Sequence, residues 1–171
     1  QAEAILATII EEGPKVLENP EDYDARANLM WCATQALNYI IGSGVPQDWG
    51  THMIGHELTA MHALDHGQTL AVVLPAMLRH QKNRKKEKLV QYGERIWNIT
   101  GGSKDERAAA AIARTEEFFR SLGVKTRLGE YGIEEGDVAD VGQRIAARGM
   151  NIGEHGDLGA KEIQEILALC T

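Results

Sequence analysis

Cysteine is scarce in this sequence, and its scarcity limits the kinds of protein that the chain can be. The 171 residues include only two cysteines, Cys32 and Cys170. Two cysteines so far apart form neither a disulfide framework nor the paired spacing of a zinc–thiolate site. We therefore expect a reduced protein of the cytoplasm.

Basic residues are also in the minority. Lys and Arg number 18 against 25 acidic residues, which gives a formal net charge of −7. General nucleic-acid binding requires a basic surface, and the one basic run, residues 79–88, is short and typical of a solvated helix junction. No apolar run reaches the roughly 20 residues that span a membrane. We expect neither nucleic acid nor a membrane as a partner.

The alternation of apolar and polar residues that is typical of β-strands is absent as well. What is present is a 43% apolar fraction, which is enough to bury a core in a chain of this length. The apolar positions recur every three or four residues, which is the helical period. The sequence predicts an all-α fold, a multi-helix bundle in which residues 1–171 form a single domain.

Start and stop signals predict where the helices lie. Gly13-Pro14 is expected to end the first helix, and Pro75 to bend or end the fourth. Ser103 and Glu106 match a capping box, and Gly123 is expected to close that helix. The predicted helices are residues 1–12, a buried helix at about 22–42, a histidine-rich helix opened by Asp48, and residues 69–78, 84–99, 103–122, 134–147 and 159–170.

Four of the six histidines lie within fifteen residues, at His52, His56, His62 and His66. The pairs His52/His56 and His62/His66 are each four residues apart and so share a helix face. On one unbroken helix His52 and His66 would be about 21 Å apart. A turn signal at Leu64–Gly67 would let them meet. Spacing alone leaves either pair open as a metal or catalytic site, with core packing as the alternative.

The commonest histidine zinc motif is excluded. His56-Glu57 begins like H-E-x-x-H, but Ala60 stands where the second histidine is required, so the protein is not a zincin of that kind. His155 lies in a glycine-rich loop, residues 149–158, and is expected to be exposed to solvent.

The spacing His52-x3-His56-x9-His66-Gly67 resembles the C-terminal signature of the iron-containing (group III) alcohol dehydrogenases. The longer stretch PQDWGTHMIGHELTAMHALDHGQTLAVVLPA resembles the branch of NADPH-dependent butanol dehydrogenases and broad-range aldehyde reductases. The flanking segments GPKVLENPEDYDARANLMWCATQALN and KLVQYGERIWNITGG agree with that branch. The resemblance covers most of the chain and weakens beyond about Leu128.

The resemblance implies the C-terminal, metal-binding part of a two-domain enzyme with the dehydroquinate synthase-like plan. A Rossmann-like N-terminal domain would bind NADP(H), and the helical domain would hold a divalent metal such as Fe, Zn or Ni. His52 and His66 match two metal ligands, and His56 matches a catalytic histidine facing substrate and nicotinamide. An Asp and a His in a D-x3-H helix should precede Gln1. The helical periodicity at Gln1 likewise predicts a chain that is part of a larger protein.

The implied reaction is hydride transfer between NADPH and an aliphatic aldehyde or primary alcohol, in a homodimer or larger assembly. The chain alone is expected to be inactive. Two alternatives are a glycerol dehydrogenase or dehydroquinate synthase-like relative, and a non-catalytic helical module with structural histidines. Near the histidines, we expect His62 to be structural. Trp49 and Met53 are candidates for lining a substrate pocket, but we expect them to pack in the core. Asp65 is either a support for His66 or a turn residue, and we expect the second.

Overall fold

The computed structural model describes all residues 1–171, and α-helix is its only extended regular structure. A single isolated β-bridge joins Ile152 and Leu158. The prediction of an all-α fold is therefore confirmed. No helix combines the length and the apolar character that a membrane crossing requires. The eight α-helices are α1 (Ala2–Glu18), α2 (Tyr23–Leu37), α3 (Gly50–His62), α4 (His66–His80), α5 (Lys86–Trp97), α6 (Lys104–Ser121), α7 (Val141–Ala146) and α8 (Ala160–Ala168).

The main hydrophobic core lies where α3, α4, α7 and α8 meet. Helix α3, which carries the histidines, contributes Ile54 and Leu58 to this core, and both side chains are completely buried. Burying a side chain of that size stabilises the fold by about 1.5–3 kcal/mol. The core members on the other helices include Val72, Val73, Met77, Val141, Ile145, Ile163, Ile166 and Leu167. This burial holds one face of α3 against the body of the protein and leaves the opposite face to the histidines.

A tight connection joins α3 to α4. Helix α3 ends at His62, and Ala63 adopts a left-handed conformation with a φ of 55°. Asp65 is the N-cap of α4, whose first residue is His66. The turn predicted from the sequence is present, although Gly67 already belongs to α4. The chain direction therefore reverses within three residues, 63–65.

Both prolines predicted to disturb helices lie inside them. Helix α1 continues through Gly13-Pro14 to Glu18, and α4 continues through Pro75 to His80. A proline in a helix interior costs about 3 kcal/mol. Pro75 is buried in the helix that contacts α3, α6 and α8, and α1 packs along α2. The predicted end of the first helix at Gly13-Pro14 was therefore wrong. The helix predicted at 69–78 already included Pro75, and α4 extends beyond it in both directions.

The other predicted helices agree with the structure to different degrees. The capping box is confirmed, because the Glu106 N–H donates to Ser103 Oγ and the Ser103 N–H donates to Glu106 Oε2. Gly123 follows α6 with a φ of 79°. The segment predicted at 134–147 is divided into a 3₁₀ helix, Glu135–Val138, and α7. Helices this short are not stable by themselves. Both pack on α8, and this tertiary contact stabilises them.

Helix α2 is not the buried helix that its small residues predicted. Only Ala25 and Cys32 of this helix are buried. Tyr23, Met30 and Leu37 are among the exposed large apolar side chains, with exposed fractions of 80%, 71% and 68%. Helix α2 packs on α1 and on the 3₁₀ helix that follows it. One apolar face of α2 is therefore turned to solvent.

A buried carboxylate ties α6 to its neighbours. Glu116, 7% exposed, accepts hydrogen bonds from Arg79 of α4 and from Thr126 Oγ1, the latter at 2.9 Å. Arg127 Nη1 lies 3.0 Å from Glu116 Oε1. Burial acts to raise the pKa of Glu116, but the hydrogen bonds from Arg79 and Thr126 and the charge of Arg127 outweigh it and lower the pKa below its ordinary value.

This lowered pKa predicts how the Glu116→Gln variant behaves. The ionised carboxylate stabilises the native state fully above the unfolded pKa of about 4.3, and this contribution disappears as the pH falls through the lower folded pKa. We expect the variant to lose about 1–3 kcal/mol of unfolding free energy at neutral pH, and the difference from wild type to shrink in acid. Urea unfolding of both proteins across this pH range measures it.

The exposed neighbour Glu117, paired with Arg114 at the surface, offers the matched control. Glu117→Gln is expected to change the unfolding free energy by less than about 1 kcal/mol at any pH. If the loss of unfolding free energy in Glu116→Gln stays constant from neutral to acid pH, the lowered pKa of Glu116 is contradicted.

Candidate metal centre

Three imidazoles converge at the surface formed by α3 and α4. One ring nitrogen each of His52, His56 and His66 lies within 4.8 Å of the others. The shortest separation, 3.1 Å, joins His52 Nδ1 to His66 Nε2. His52 is partly buried, whereas His56 and His66 are exposed. The cluster is thus built into the fold on one side and open on the other.

The local fold explains why these three histidines meet. His52 and His56 are one helical turn apart on α3 and share a face. Burial of Ile54 and Leu58 turns that face away from the core. His66 opens α4 directly after the tight connection, and so returns to the same face of α3. Each histidine is therefore positioned by helix packing and not by a loop.

The distance between His52 and His66 fits a shared metal ion. Metal–imidazole bonds are about 2.0–2.1 Å long, so two nitrogens at octahedral or tetrahedral angles stand about 2.8–3.4 Å apart. The observed 3.1 Å lies inside that interval. Imidazole nitrogens suit divalent iron, zinc and nickel. The residues present therefore fit a divalent metal of this kind, while the role of His52 and His66 as ligands stays a prediction.

The surroundings of His52 favour the uncharged form of its ring. Partial burial, together with the neighbouring His66 and His56 rings, lowers the pKa of His52 below its ordinary value. An unprotonated imidazole keeps the nitrogen lone pair that a metal ligand must donate. The lowered pKa of His52 therefore favours the form of the ring that binds a metal.

His56 lies with the other two rings but at the exposed side. Its ring centroid is 4.8 Å from that of His66 and 6.2 Å from that of His52. By geometry alone His56 can serve as a third imidazole ligand or as a group that faces a bound substrate. The resemblance favours the second role.

A groove of about 640 Å³ adjoins His52 and runs along α4 towards α6. Its polar end carries Asp48, Thr51, Asp65 and Gln68, and its apolar wall consists of Leu70, Ala71, Leu74, Phe119 and Val124. The Trp49 ring lies 5.2 Å from the His52 ring and is 37% exposed. The prediction that Trp49 packs in the core was therefore wrong, and the ring lies beside His52 instead. Met53 does pack against the main core, as expected.

The remaining histidines lie outside the cluster. His62 is partly buried at the end of α3, and the expectation of a structural role stays a prediction. His80 Nε2 lies 3.0 Å from Glu165 Oε2. His155 is exposed, as predicted. Asp65 is the N-cap of α4, which confirms that it is a turn residue.

One charged contact that supports the site was not foreseen. Glu57 follows His56 on α3 and is only 3% exposed. Arg144 of α7 donates to Glu57 Oε2 at 3.0 Å, and Arg148 pairs with Glu57 Oε1. These ion pairs fasten the histidine-bearing helix to α7. The partners are about 90 positions away, so no local pattern signals them.

Comparison with known proteins places this arrangement in a family. The family model described as "Fe-containing alcohol dehydrogenase family, C-terminal" matches residues 1–170. The chain is 58% identical over 158 residues to the NADPH-dependent aldehyde reductase YqhD of Escherichia coli. This alignment covers 92% of this chain and 41% of YqhD. The chain is also 37% identical over 169 residues to the NADH-dependent butanol dehydrogenase A of Clostridium acetobutylicum. That alignment covers 96% of this chain and 43% of the dehydrogenase.

The fold agrees with a solved relative. The crystal structure of E. coli K-12 YqhD superposes with a TM-score of 0.96 and 53% identity, covering 99% of this chain and 44% of that one. The chain thus spans about two fifths of the length of the relatives it matches. The resemblance inferred from the histidine spacing and its flanks is confirmed. This chain belongs to the iron-containing alcohol dehydrogenase family and corresponds to the C-terminal part of its members.

Proposed function

We propose that residues 1–171 are the single C-terminal metal-binding domain of an NADP-linked alcohol dehydrogenase or aldehyde reductase. The enzyme transfers hydride between NADPH and an aliphatic aldehyde or primary alcohol. The observation that carries the proposal is the 3.1 Å approach of His52 Nδ1 to His66 Nε2. It occurs in a chain that is 58% identical to an NADPH-dependent aldehyde reductase.

His52 and His66 are assigned as two ligands of a divalent metal, Fe, Zn or Ni. The other ligands, an Asp and a His, come from a D-x3-H segment that precedes residue 1 in the complete enzyme. When bound, the ion supplies Lewis acidity at the carbonyl or alcohol oxygen during hydride transfer. The part played by this chain is to hold two neutral imidazoles at the separation that such an ion requires.

His56 is assigned the role of the catalytic histidine. Its exposed ring lies beside His66 on the open side of the cluster, where a substrate has access. A neutral imidazole both donates and accepts hydrogen bonds, which suits it to proton exchange with a substrate oxygen. In this position His56 orients the substrate oxygen and exchanges a proton with it.

The groove beside His52 supports an aliphatic substrate. Leu70, Leu74, Phe119 and Val124 give its wall an apolar character, which favours a short hydrocarbon chain over a polyol or a sugar acid. This composition supports an alcohol dehydrogenase over the glycerol dehydrogenase and dehydroquinate synthase alternatives.

The choice of NADP over NAD rests on the relatives. YqhD uses NADPH by name, whereas the butanol dehydrogenase A of C. acetobutylicum uses NADH by name. The identity of 58% to the former against 37% to the latter favours NADP. The nucleotide itself is assigned to an N-terminal domain outside these 171 residues.

Partners of this chain are proposed on the same grounds. The exposed apolar residues of α2, among them Tyr23, Met30 and Leu37, support a complete enzyme in which further protein packs on this domain. We propose that the nucleotide-binding domain of the same enzyme packs on this domain, and that further copies of the enzyme form a homodimer or larger assembly. Both cysteines are free and buried, which supports the cytoplasm as the compartment.

Replacement of either proposed ligand is expected to remove metal and activity together. In the full-length enzyme, His52→Ala and His66→Ala should each lower NADPH oxidation with a short aliphatic aldehyde by more than about 100-fold. That exceeds the typical 10- to 100-fold effect of residues that only support a ligand. Elemental analysis and the rate of NADPH oxidation measure the two losses.

The exposed His155 provides the control, and His155→Ala should retain both metal and turnover. Circular dichroism shows whether each variant keeps its helical content. Full metal occupancy and normal turnover in the His52→Ala and His66→Ala proteins would refute the proposal, and the histidines would then be packing residues of a helical module.

The 171-residue chain by itself is expected to be inactive. It holds two of the four assigned ligands and no nucleotide-binding fold, so its metal affinity should be weaker than that of the complete enzyme. Mixing the chain with NADPH, a short aliphatic aldehyde and Zn²⁺ or Fe²⁺ should give no NADPH oxidation above the rate of the metal alone. Hydride transfer by the isolated chain would overturn this prediction.

A further inference from the structure

A glycine interrupts the middle of α3 at the point where this helix touches α4. Gly55 is buried, and glycine in a helix interior is less favourable than alanine by about 1 kcal/mol. A Cβ placed on Gly55 would stand 2.9 Å from Thr69 Oγ1 and 3.4 Å from Leu70 Cδ2. The Thr69 hydroxyl therefore approaches the α3 backbone so closely that a Cβ at position 55 requires the contact to shift.

Thr69 is fixed at this contact. Its side chain is completely buried, and its Oγ1 donates a hydrogen bond of 2.8 Å to the carbonyl oxygen of His66. A buried hydroxyl held in this way cannot rotate away without leaving a polar group unpaired. The hydroxyl thus forms a rigid surface against which Gly55 packs.

The contact lies close to the histidine cluster on both helices. Gly55 is three residues after His52 and precedes His56, and Thr69 is three residues after His66. On each helix one turn connects the contact to a proposed ligand. A change in the gap between Gly55 and Thr69 therefore shifts His52 and His66 relative to each other.

We infer that Gly55 and Thr69 are positioning residues that together set the distance between His52 and His66. The inference rests on the proposed metal-binding function and adds to it the part of the fold that spaces the ligands. Metal ligands tolerate displacements of about 0.2 Å. A Cβ at position 55 would stand 2.9 Å from Thr69 Oγ1, about 0.5 Å short of an ordinary contact of 3.4 Å. Because the hydrogen bond to His66 holds that hydroxyl in place, relieving the contact displaces α3 from α4 by more than this tolerance.

The test compares two buried glycines in the full-length enzyme. Gly55→Ala crowds α3 against α4, whereas Gly93→Ala crowds α5 against α6, where a Cβ would lie 3.0 Å from Ala111 Cβ. Both substitutions are expected to lower the melting temperature of the metal-free protein. Only Gly55→Ala is expected to weaken Zn²⁺ binding, by about tenfold or more, measured by titration against a competing chelator.

A compensating substitution sharpens the test. The nearest atom to the new Cβ is Thr69 Oγ1, and removing it leaves Thr69 Cβ at 3.5 Å and Leu70 Cδ2 at 3.4 Å, which are ordinary contacts. The double variant with Gly55→Ala and Thr69→Ala is therefore expected to bind Zn²⁺ more tightly than Gly55→Ala alone. Such a gain is the coupling that a double-mutant cycle detects between residues in contact.

Three outcomes are distinguishable. Weak Zn²⁺ binding by Gly55→Ala, normal binding by Gly93→Ala and recovery in the double variant support the inference. Normal binding by Gly55→Ala, while His52→Ala and His66→Ala lose the metal, overturns the inference and leaves the proposed function intact. Equally weak Zn²⁺ binding by Gly55→Ala and Gly93→Ala also overturns the inference, because the loss of binding then results from lower stability and not from the spacing of His52 and His66.

Discussion

The packing of α3 against α4 is the contact on which the candidate site depends. Ile54 and Leu58 fill the core from one face of α3, and Gly55 lets α4 approach the helix at the level of Thr69. These contacts bring the turn of α3 that carries His52 beside the first turn of α4, which carries His66. Close packing of this kind permits few alternative arrangements of the two helices.

Buried carboxylates hold the surrounding helices in register with this pair. Glu57 ties α3 to α7 through Arg144 and Arg148, and Glu116 ties α6 to α4 through Arg79. A carboxylate that is buried without a partner is strongly unfavourable. Each of these pairs therefore favours one arrangement of the helices over others in which the charge would lose its partner.

The open side of the cluster agrees with a domain that shares its site with another part of the protein. Two of the three imidazoles are exposed, an apolar groove leads away from them, and α2 presents apolar side chains to solvent. The chain spans 41% of the length of YqhD. The proposed cleft between this helical domain and a nucleotide-binding domain would account for these features together.

The sequence by itself determined the helical fold class, the bounds of α6 and the family, because each depends on local periodicity, capping or the spacing of histidines. Only the tertiary structure decided that α1 continues through Pro14. It also decided that His52 meets His66, where residue spacing alone left either pair open. Such outcomes depend on contacts between residues distant in sequence, whose packing outweighs local helix preferences of a few kcal/mol.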